Sequence, residues 1–297
     1  MKPITITCLL VGALGGNCAS NDAADKSSAE DAAQAHTQTQ SQTNDLPPGP
    51  CRKTVENADG EPTAVHRLSY DAQGRLVERR VVQPSDGTLE KVERHVYEDG
   101  RLVREIVENP QSGRERPRTL VHFYGEDGER IRTEEDFRKD PAPDTITRYS
   151  YDEQGQLVRE AEDFNLDGKP DVVFVQEFDD QGRLVRRAKF PGPPDTTERP
   201  EWSQTYEDDE QGRRTARLED SDADGQVDVR VEFTYDDHDN VIERTTDFTV
   251  ELGVDERIIF ERTYDDSGRQ VRVEKHFASP NGLRRLMKTT KFDYQCN

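Results

Sequence analysis

The sequence predicts an all-β protein, an antiparallel up-and-down meander of about nine two-stranded repeats, curled or closed into a flattened barrel-like sheet. Three observations predict it: one turn signature recurs nine times, its copies are evenly spaced, and two cysteines bracket the whole array. The clearest copy is Tyr151-Asp152-Glu153-Gln154-Gly155-Gln156-Leu157. Asp152 suits the first position of a type I turn. Gly155 suits the fourth, where a left-handed residue forms the bulge of a three-residue hairpin loop. The spacing predicts Asp152 opposite Gln156 and Tyr151 opposite Leu157, an aromatic against an aliphatic on one sheet face.

Equivalent aromatics stand at Tyr70, Tyr97, Tyr124, Tyr151, Phe178, Tyr206, Tyr235, Tyr264 and Phe292, at steps of 27 to 29 residues. Self-similarity at a fixed period marks a repeat architecture whose units contact their neighbours. Tyr97-Glu98-Asp99-Gly100-Arg101-Leu102 is one residue shorter, which suits a two-residue Asp-Gly turn and still sets Tyr97 opposite Leu102. The loop after Tyr206 is expected to be longer, and after Tyr235 the glycine position is held by Asp239.

Each repeat holds one strand leaving the turn, such as residues 102–108, and one returning to the next aromatic, such as 89–97. Nine such pairs make 18 strands. Laid flat, that many strands at roughly 4.8 Å each would separate the sheet edges by about 80 Å. The four cysteines are Cys8, Cys18, Cys51 and Cys296, and the last two bracket the repeats. In an exported chain two leftover cysteines read as a disulfide, which needs Cα atoms about 5.5 Å apart. With an even number of up-and-down strands the first start and the last end share a rim, so the pair Cys51 and Cys296 implies a curled or closed sheet. An outer-membrane barrel needs an uninterrupted apolar outer band. Here Glu78, Arg79 and Arg80 are consecutive in one strand, and Arg186 and Arg187 in another, so charge falls on both faces.

Hydrophobic residues make up 31% of the chain and charged residues 35%, with a net charge of −21, which leaves little material for a thick core. The acidity argues against nucleic acid and favours divalent cations, basic partners or plain solubility.

Lys2, an apolar run over residues 4–14, and Gly15-Gly16-Asn17-Cys18 resemble a bacterial lipoprotein signal peptide with its lipobox cysteine. Asn17 stands where that family places glycine or alanine, so ordinary secretory cleavage is the alternative. The resemblance implies a signal peptide over 1–17, lipidation at Cys18 and anchoring at the outer membrane or cell surface. Residues 18–50 are small and polar and end Leu46-Pro47-Pro48-Gly49-Pro50, a disordered tether. Residues 51–297 form the repeat domain.

Two of the turns at the opposite ends of the repeats stand out. Asp163-Phe164-Asn165-Leu166-Asp167-Gly168-Lys169-Pro170-Asp171 and Asp220-Ser221-Asp222-Ala223-Asp224-Gly225-Gln226-Val227-Asp228 share one spacing. Oxygen ligands at positions 1, 3, 5 and 9 with glycine at 6 let a short loop wrap a hard cation that takes about 6 to 8 oxygens. The candidate calcium ligands are thus Asp163, Asn165, Asp167 and Asp171, then Asp220, Asp222, Asp224 and Asp228. Turn chemistry alone would also favour Asp, Asn and Gly here. The pattern resembles the calcium loop of FG-GAP propeller repeats. Phe174 and Val231 stand at position 12, where an EF-hand carries its closing glutamate.

The Tyr-Asp-x-x-Gly-Arg-Leu copies resemble the YD (RHS) repeats of bacterial surface and toxin-shell proteins over about residues 52–296. This implies an extended β-rich surface module, without the protease-like core or toxin tip of those shells. The sequence contains no G-x-S-x-G, H-E-x-x-H, C-x-x-C or phosphate loop, and its histidines are dispersed. His122 reads as a strand residue and Trp202 as a core or rim anchor. The expectation is a non-enzymatic, surface-exposed lipoprotein acting as a structural or binding module for a protein or glycan partner. The alternatives are an envelope carrier holding a ligand within the sheet and an enzyme with an unrecognised site.

Overall fold

The computed structural model describes residues 49–113, 117–138, 142–192, 199–248, 254–279 and 282–295. The expected signal peptide and nearly all of the tether lie outside them, as do Cys18 and Cys296. The described chain is all-β, with 18 strands and one short 3-10 turn at Pro110–Ser112. In order the strands are β1 (Arg52–Asn57), β2 (Pro62–Tyr70), β3 (Leu76–Val82), β4 (Leu89–Glu98), β5 (Arg101–Glu108) and β6 (Arg118–Tyr124). There follow β7 (Arg130–Asp136), β8 (Thr145–Tyr151), β9 (Leu157–Asp163), β10 (Val172–Phe178), β11 (Leu184–Pro191) and β12 (Trp202–Asp208). The last are β13 (Arg214–Asp220), β14 (Val229–Tyr235), β15 (Val241–Asp247), β16 (Glu256–Tyr264), β17 (Gln270–Ala278) and β18 (Arg284–Asp293).

All belong to one sheet. It is an antiparallel meander, and it closes in the barrel-like manner expected, because the first strand pairs with the last: β1 runs beside β18 from Arg52 opposite Asp293 to Asn57 opposite Lys288. Pairing the chain's ends removes the two open edges that a meander would otherwise expose. The described residues divide into two compact units. One holds residues 145–240 and 245–255, and the other holds residues 49–144, 241–244 and those from 256 onward.

The turn signature folds as its chemistry dictates. Asp152 N–H donates to the Gln156 carbonyl at 3.0 Å, Gly155 N–H donates to the Asp152 carbonyl at 3.1 Å, and Tyr151 pairs with Leu157. Gly155 has φ 79°, which an L side chain resists. The aspartate is an acceptor for the turn itself, since Asp152 Oδ1 takes the N–H groups of Gln154 and Gln156, both at 2.9 Å. In the short turn Asp99 (φ 48°) and Gly100 (φ 82°) are both left-handed, and Tyr97 pairs with Leu102 as expected. Asp239 takes the glycine position with φ 60°, and its hairpin closes normally, with Asp236 N–H donating to Asn240 O at 2.9 Å.

Arginine and tyrosine then link one repeat to the next. Arg75 follows the glycine of its turn, bonds back to Asp71 through Nε at 2.7 Å, and lies 4.5 Å over the ring of Tyr97. Tyr97 in turn donates its hydroxyl to the Leu76 carbonyl at 3.2 Å. The same pair of contacts joins Arg101 and Leu102 to Tyr124, Arg213 and Arg214 to Tyr235, and Arg269 and Gln270 to Tyr294. The motif's tyrosine therefore seals its repeat against the preceding one by stacking and by capping a strand-end carbonyl.

Two expectations need correction. The loop after Tyr206 is not longer. Asp209 N–H donates to Arg213 O as in the other turns, and Asp208 occupies the usual aromatic position opposite Arg214. Tyr206 has moved two residues up the strand, which keeps it within 3.9 Å of the Arg214 guanidinium. At the C-terminus the repeat's aromatic is Tyr294 rather than Phe292, because Phe292 sits within β18 opposite Lys53 and has no hydroxyl to cap a carbonyl.

The core is thin. Among the described residues the buried apolar side chains are mainly Val, Ala and Ile, joined by Phe190 and Tyr206. The motif leucines Leu76, Leu102, Leu157 and Leu184 are only half-buried, so the interior is formed mostly by valines. A compact cluster of Ala161, Val173, Ala188 and Phe190 holds β9, β10 and β11 together. Elsewhere opposite charges pair across strands. Arg79 meets Glu93 directly, with a fork of 2.5 and 2.6 Å contacts.

Candidate functional site

Four of the loops between paired strands have the same length and the same frame. Each is nine residues long with aspartate first and last: 136–144, 163–171, 220–228 and 247–255. The last aspartate clasps the loop. Its N–H donates to a strand-end carbonyl (Asp144 to Glu135, Asp171 to Glu162, Asp228 to Glu219, Asp255 to Thr246), at 2.6 to 2.9 Å. Its Oδ2 accepts the N–H of the residue after the first aspartate: Phe137, Phe164, Ser221 and Phe248, at 2.6 to 2.8 Å. Ligand spacing singles out only two of these loops. The signal that identifies all four is the D-x7-D frame, with the strand before it and the strand after it.

The two candidate calcium loops share a further backbone feature. Both carry a left-handed residue at position 4, Leu166 (φ 60°) and Ala223 (φ 54°), before a left-handed glycine at position 6, Gly168 (φ 87°) and Gly225 (φ 95°). In the second loop the oxygens of Asp220, Asp222 and Asp224 lie within 4.8 Å of each other. Asp224 N–H donates to Asp220 Oδ1 at 3.0 Å and to Asp222 Oδ1 at 3.1 Å, and Gly225 N–H donates to Asp220 Oδ2 at 2.9 Å.

In the first loop Asp163 is 1% exposed. Its Oδ2 accepts Gly168 N–H at 3.1 Å, with the Arg148 guanidinium 3.8 Å away, while its Oδ1 is buried and has no hydrogen-bond partner among the described residues. An orphaned carboxylate oxygen inside a protein is costly, and a cation or a buried water would satisfy it. Asn165 Oδ1 accepts Asp167 N–H at 2.9 Å, and Asn165 Nδ2 donates to Asp171 Oδ1 at 2.9 Å. Asp167 Oδ1 accepts Lys169 N–H at 2.8 Å. Of the eight sequence-predicted ligands the structure draws Asp220, Asp222 and Asp224 together; Asp171 and Asp228 serve as clasps, and the carboxylates of Asp163, Asp167 and Asp171 do not converge to the same degree.

Beside the first loop lies a cleft of about 720 Å³, formed where β9, β10, β11 and the start of β12 meet. Phe164, Val172, Phe174 and Pro191 give it an apolar wall, and Asn165 and Asp171 of the loop form part of its rim. Lys189 and Glu201 also line it, joined by a 2.8 Å bond from Glu201 N–H to the Lys189 carbonyl. Nothing in the sequence marked these side chains, because they come from four separate elements.

The histidines are not wholly dispersed. His122, 5% exposed, holds Thr133 Oγ1 and Glu105 Oε1 through its two ring nitrogens, both at 3.0 Å, and His95 Nε2 lies 3.7 Å from Glu105 Oε2. Glu105 is drawn below the usual carboxylate range, chiefly by the hydrogen bond from His122. His122 is thus a buried strand residue with both nitrogens engaged. At the sheet seam, Cys51 Sγ lies 3.4 Å from the Asp293 carbonyl oxygen, three residues before Cys296 in the sequence.

Fold and loops together define a repeat-built antiparallel sheet with acid-framed loops. No protein-family model matches the chain, and no curated protein matches it. Among solved structures, the Photorhabdus luminescens Tc holotoxin pore is similar at 13% identity over 76% of this chain and 13% of that chain, with a TM-score of 0.38. The TcdB2-TccC3 structure is similar at 12% identity over 80% of this chain and 14% of that one, with a TM-score of 0.39. A porin-like protein from Bacteroides uniformis is similar at 12% identity over 83% of this chain and 98% of that one, with a TM-score of 0.42. Likenesses at this level transfer no activity to this chain.

Proposed function

We propose that this protein is a non-enzymatic lipoprotein of the cell envelope, anchored by lipid at Cys18, that presents its YD-like β-repeat domain as a calcium-stabilised binding module at the outer membrane or cell surface. The observation that carries the reading is the Oδ1 of Asp163, buried and without a hydrogen-bond partner among the described residues, at the head of a loop whose sequence carries oxygen side chains at positions 1, 3, 5 and 9. The companion loop, with three carboxylates converging within 4.8 Å, supports it. Calcium here would neutralise clustered carboxylates and stiffen hairpins whose core is thin. Asp163, Asn165, Asp167 and Asp171 would hold one ion, and Asp220, Asp222, Asp224 and Asp228 another.

Anchoring through lipid rather than through the sheet is supported by the charge distribution. Arg79 and Arg80, on opposite faces of β3, are both engaged with carboxylates. A bond between Cys51 and Cys296 is supported by the register that places Arg52 opposite Asp293.

Thermal unfolding tests the calcium reading. A ligand that binds only the folded state at a hundredfold excess over its Kd adds about 2.7 kcal/mol per site. Millimolar calcium should raise the Tm, and Asp167→Asn with Asp224→Asn should reduce that rise while leaving the loop turns intact. Asp86→Asn, in a turn where Asp86 merely accepts Thr88 N–H at 2.8 Å, should leave it unchanged. A melting curve that does not respond to calcium would overturn the reading. Mass spectrometry of the mature protein tests lipidation at Cys18, and an unmodified N-terminus would exclude it.

A further inference from the structure

We infer that the cleft beside the first acidic loop is a binding site for a neutral sugar ring. Three features define the ligand. The first is an exposed aromatic face: Phe164 is 46% exposed although it stands at the cleft wall, whereas Phe174 is already covered by the Arg187 guanidinium at 4.3 Å. Water-exposed aromatic surface next to Val172 and Pro191 matches the apolar C–H face of a pyranose.

The second feature is a pair of charged groups that line the same cleft, Lys189 being the cross-strand partner of Phe174. Among the described residues, neither the Lys189 ammonium nor the Glu201 carboxylate has a side-chain hydrogen bond or ion pair, although their backbones are joined across β11 and the start of β12. One is a donor and the other an acceptor. A hydroxyl group is both, so a ring bearing several hydroxyls satisfies each without bringing a charge that one of them would repel. The chain's net charge of −21 further disfavours an anionic ligand.

The third feature is the loop itself. Asn165 and Asp171, two of the proposed cation ligands, face the same cleft. Calcium takes about 6 to 8 oxygens, more than the four side chains offer singly, and hydroxyls of a bound sugar stand on the open side of the loop. This last feature rests on the calcium reading above, whereas the aromatic wall and the Lys189 and Glu201 pair do not.

The test titrates the intact mature protein with glucose, galactose and mannose, with millimolar calcium or with EDTA. Binding is read by ligand-observed NMR and by the emission of Trp202, the only tryptophan of the chain, which pairs with Lys189. At least one sugar should bind in calcium. Phe164→Ala and Glu201→Gln should each weaken it about tenfold, equivalent to roughly 1.4 kcal/mol, while Phe248→Ala, an exposed aromatic at the same position of another loop, should not. Phe164 and Glu201 are both exposed, and an unchanged Tm would show that the variants fold. If calcium raises the Tm but no sugar binds at tens of millimolar, the sugar site is refuted and the calcium reading stands. Sugar binding that is equal in EDTA would confirm the cleft and refute coordination through the loop. Binding unaffected by both cleft variants would place the sugar elsewhere and refute the inference.

Discussion

The hydroxyl of Tyr124 donates a 2.7 Å hydrogen bond to the carbonyl oxygen of Leu102, the residue that pairs with Tyr97 one repeat earlier. Tyr235 does the same for Arg214, also at 2.7 Å. The contact spans 21 or 22 residues of sequence, so it couples the repeats rather than the two strands of one hairpin. Tyr124→Phe and Tyr235→Phe, which keep the ring and delete the donor, should each cost about 1 kcal/mol of unfolding free energy. Urea denaturation measures it, and an unchanged midpoint in both variants would show that the ring alone does the sealing.

The third turn lacks the motif aspartate. Gly125 stands there, with its N–H bonded to Glu129 O at 2.8 Å but with no side chain to accept the turn's other amides. Gly125→Asp should supply that acceptor and raise stability by roughly 0.5 to 1 kcal/mol. A Cβ at this position would meet Ile131 Cγ2 at 3.3 Å, and Ile131 is exposed and able to yield. A fall in Tm would mean that the contact outweighs the turn.

Gly155→Ala should have the opposite effect. At φ 79° an alanine is strained by about 1 to 2 kcal/mol, and a Tm unaffected by the change would show that the turn relaxes to another type.

Acid should unfold the protein in a defined way. Burial alone would raise the Glu93 carboxyl, but the hydrogen bonds from Arg79 and Lys91 outweigh it and hold the group down to about 2. A carboxylate depressed in this manner contributes stability that is fully present above its unfolded pKa, about 4.3. That contribution is lost as pH falls toward 2. Asp179 and Asp265 act in the same direction, each held below the usual range first by the backbone N–H and then by the side chain of the arginine four residues on. The stability gap between the wild type and Glu93→Gln should therefore be constant above about pH 5 and shrink between about pH 4 and pH 2. A gap independent of pH throughout would show that the fork adds nothing through its charge.

The proposed Cys51–Cys296 bond would close a loop of about 245 residues, worth on the order of 5 kcal/mol in the chain-entropy model. Peptide mapping without reductant should recover the two cysteines in one cross-linked fragment, and reduction should lower the Tm. Two free thiols in the exported protein would leave the β1 and β18 ladder to hold the seam unaided.

The sequence alone was enough to establish the strand count, the turn types and the pairing of Tyr151 with Leu157, because these are local. A hairpin's register follows from the few residues of its turn, and each turn residue has its own backbone reason to be there. Locality also explains where spacing departs from structure. Tyr206 moved two positions along its strand, and Tyr294 displaced Phe292, because the tyrosine's role is to reach a carbonyl of the preceding repeat, which a spacing count does not register. The acidic loops were legible as ligand spacings, but their common D-x7-D clasp emerges only when strand ends 9 residues apart are brought within hydrogen-bonding distance. What tertiary structure decided is everything built from separate strands. The setting of Asp163 depends on β8, which supplies Arg148 and pairs Ile146 with it. The cleft needs Phe164, Phe174, Lys189 and Glu201 from four successive elements. The closure of the sheet needs β1 to find β18, and no local propensity specifies a pairing between the two ends of a chain.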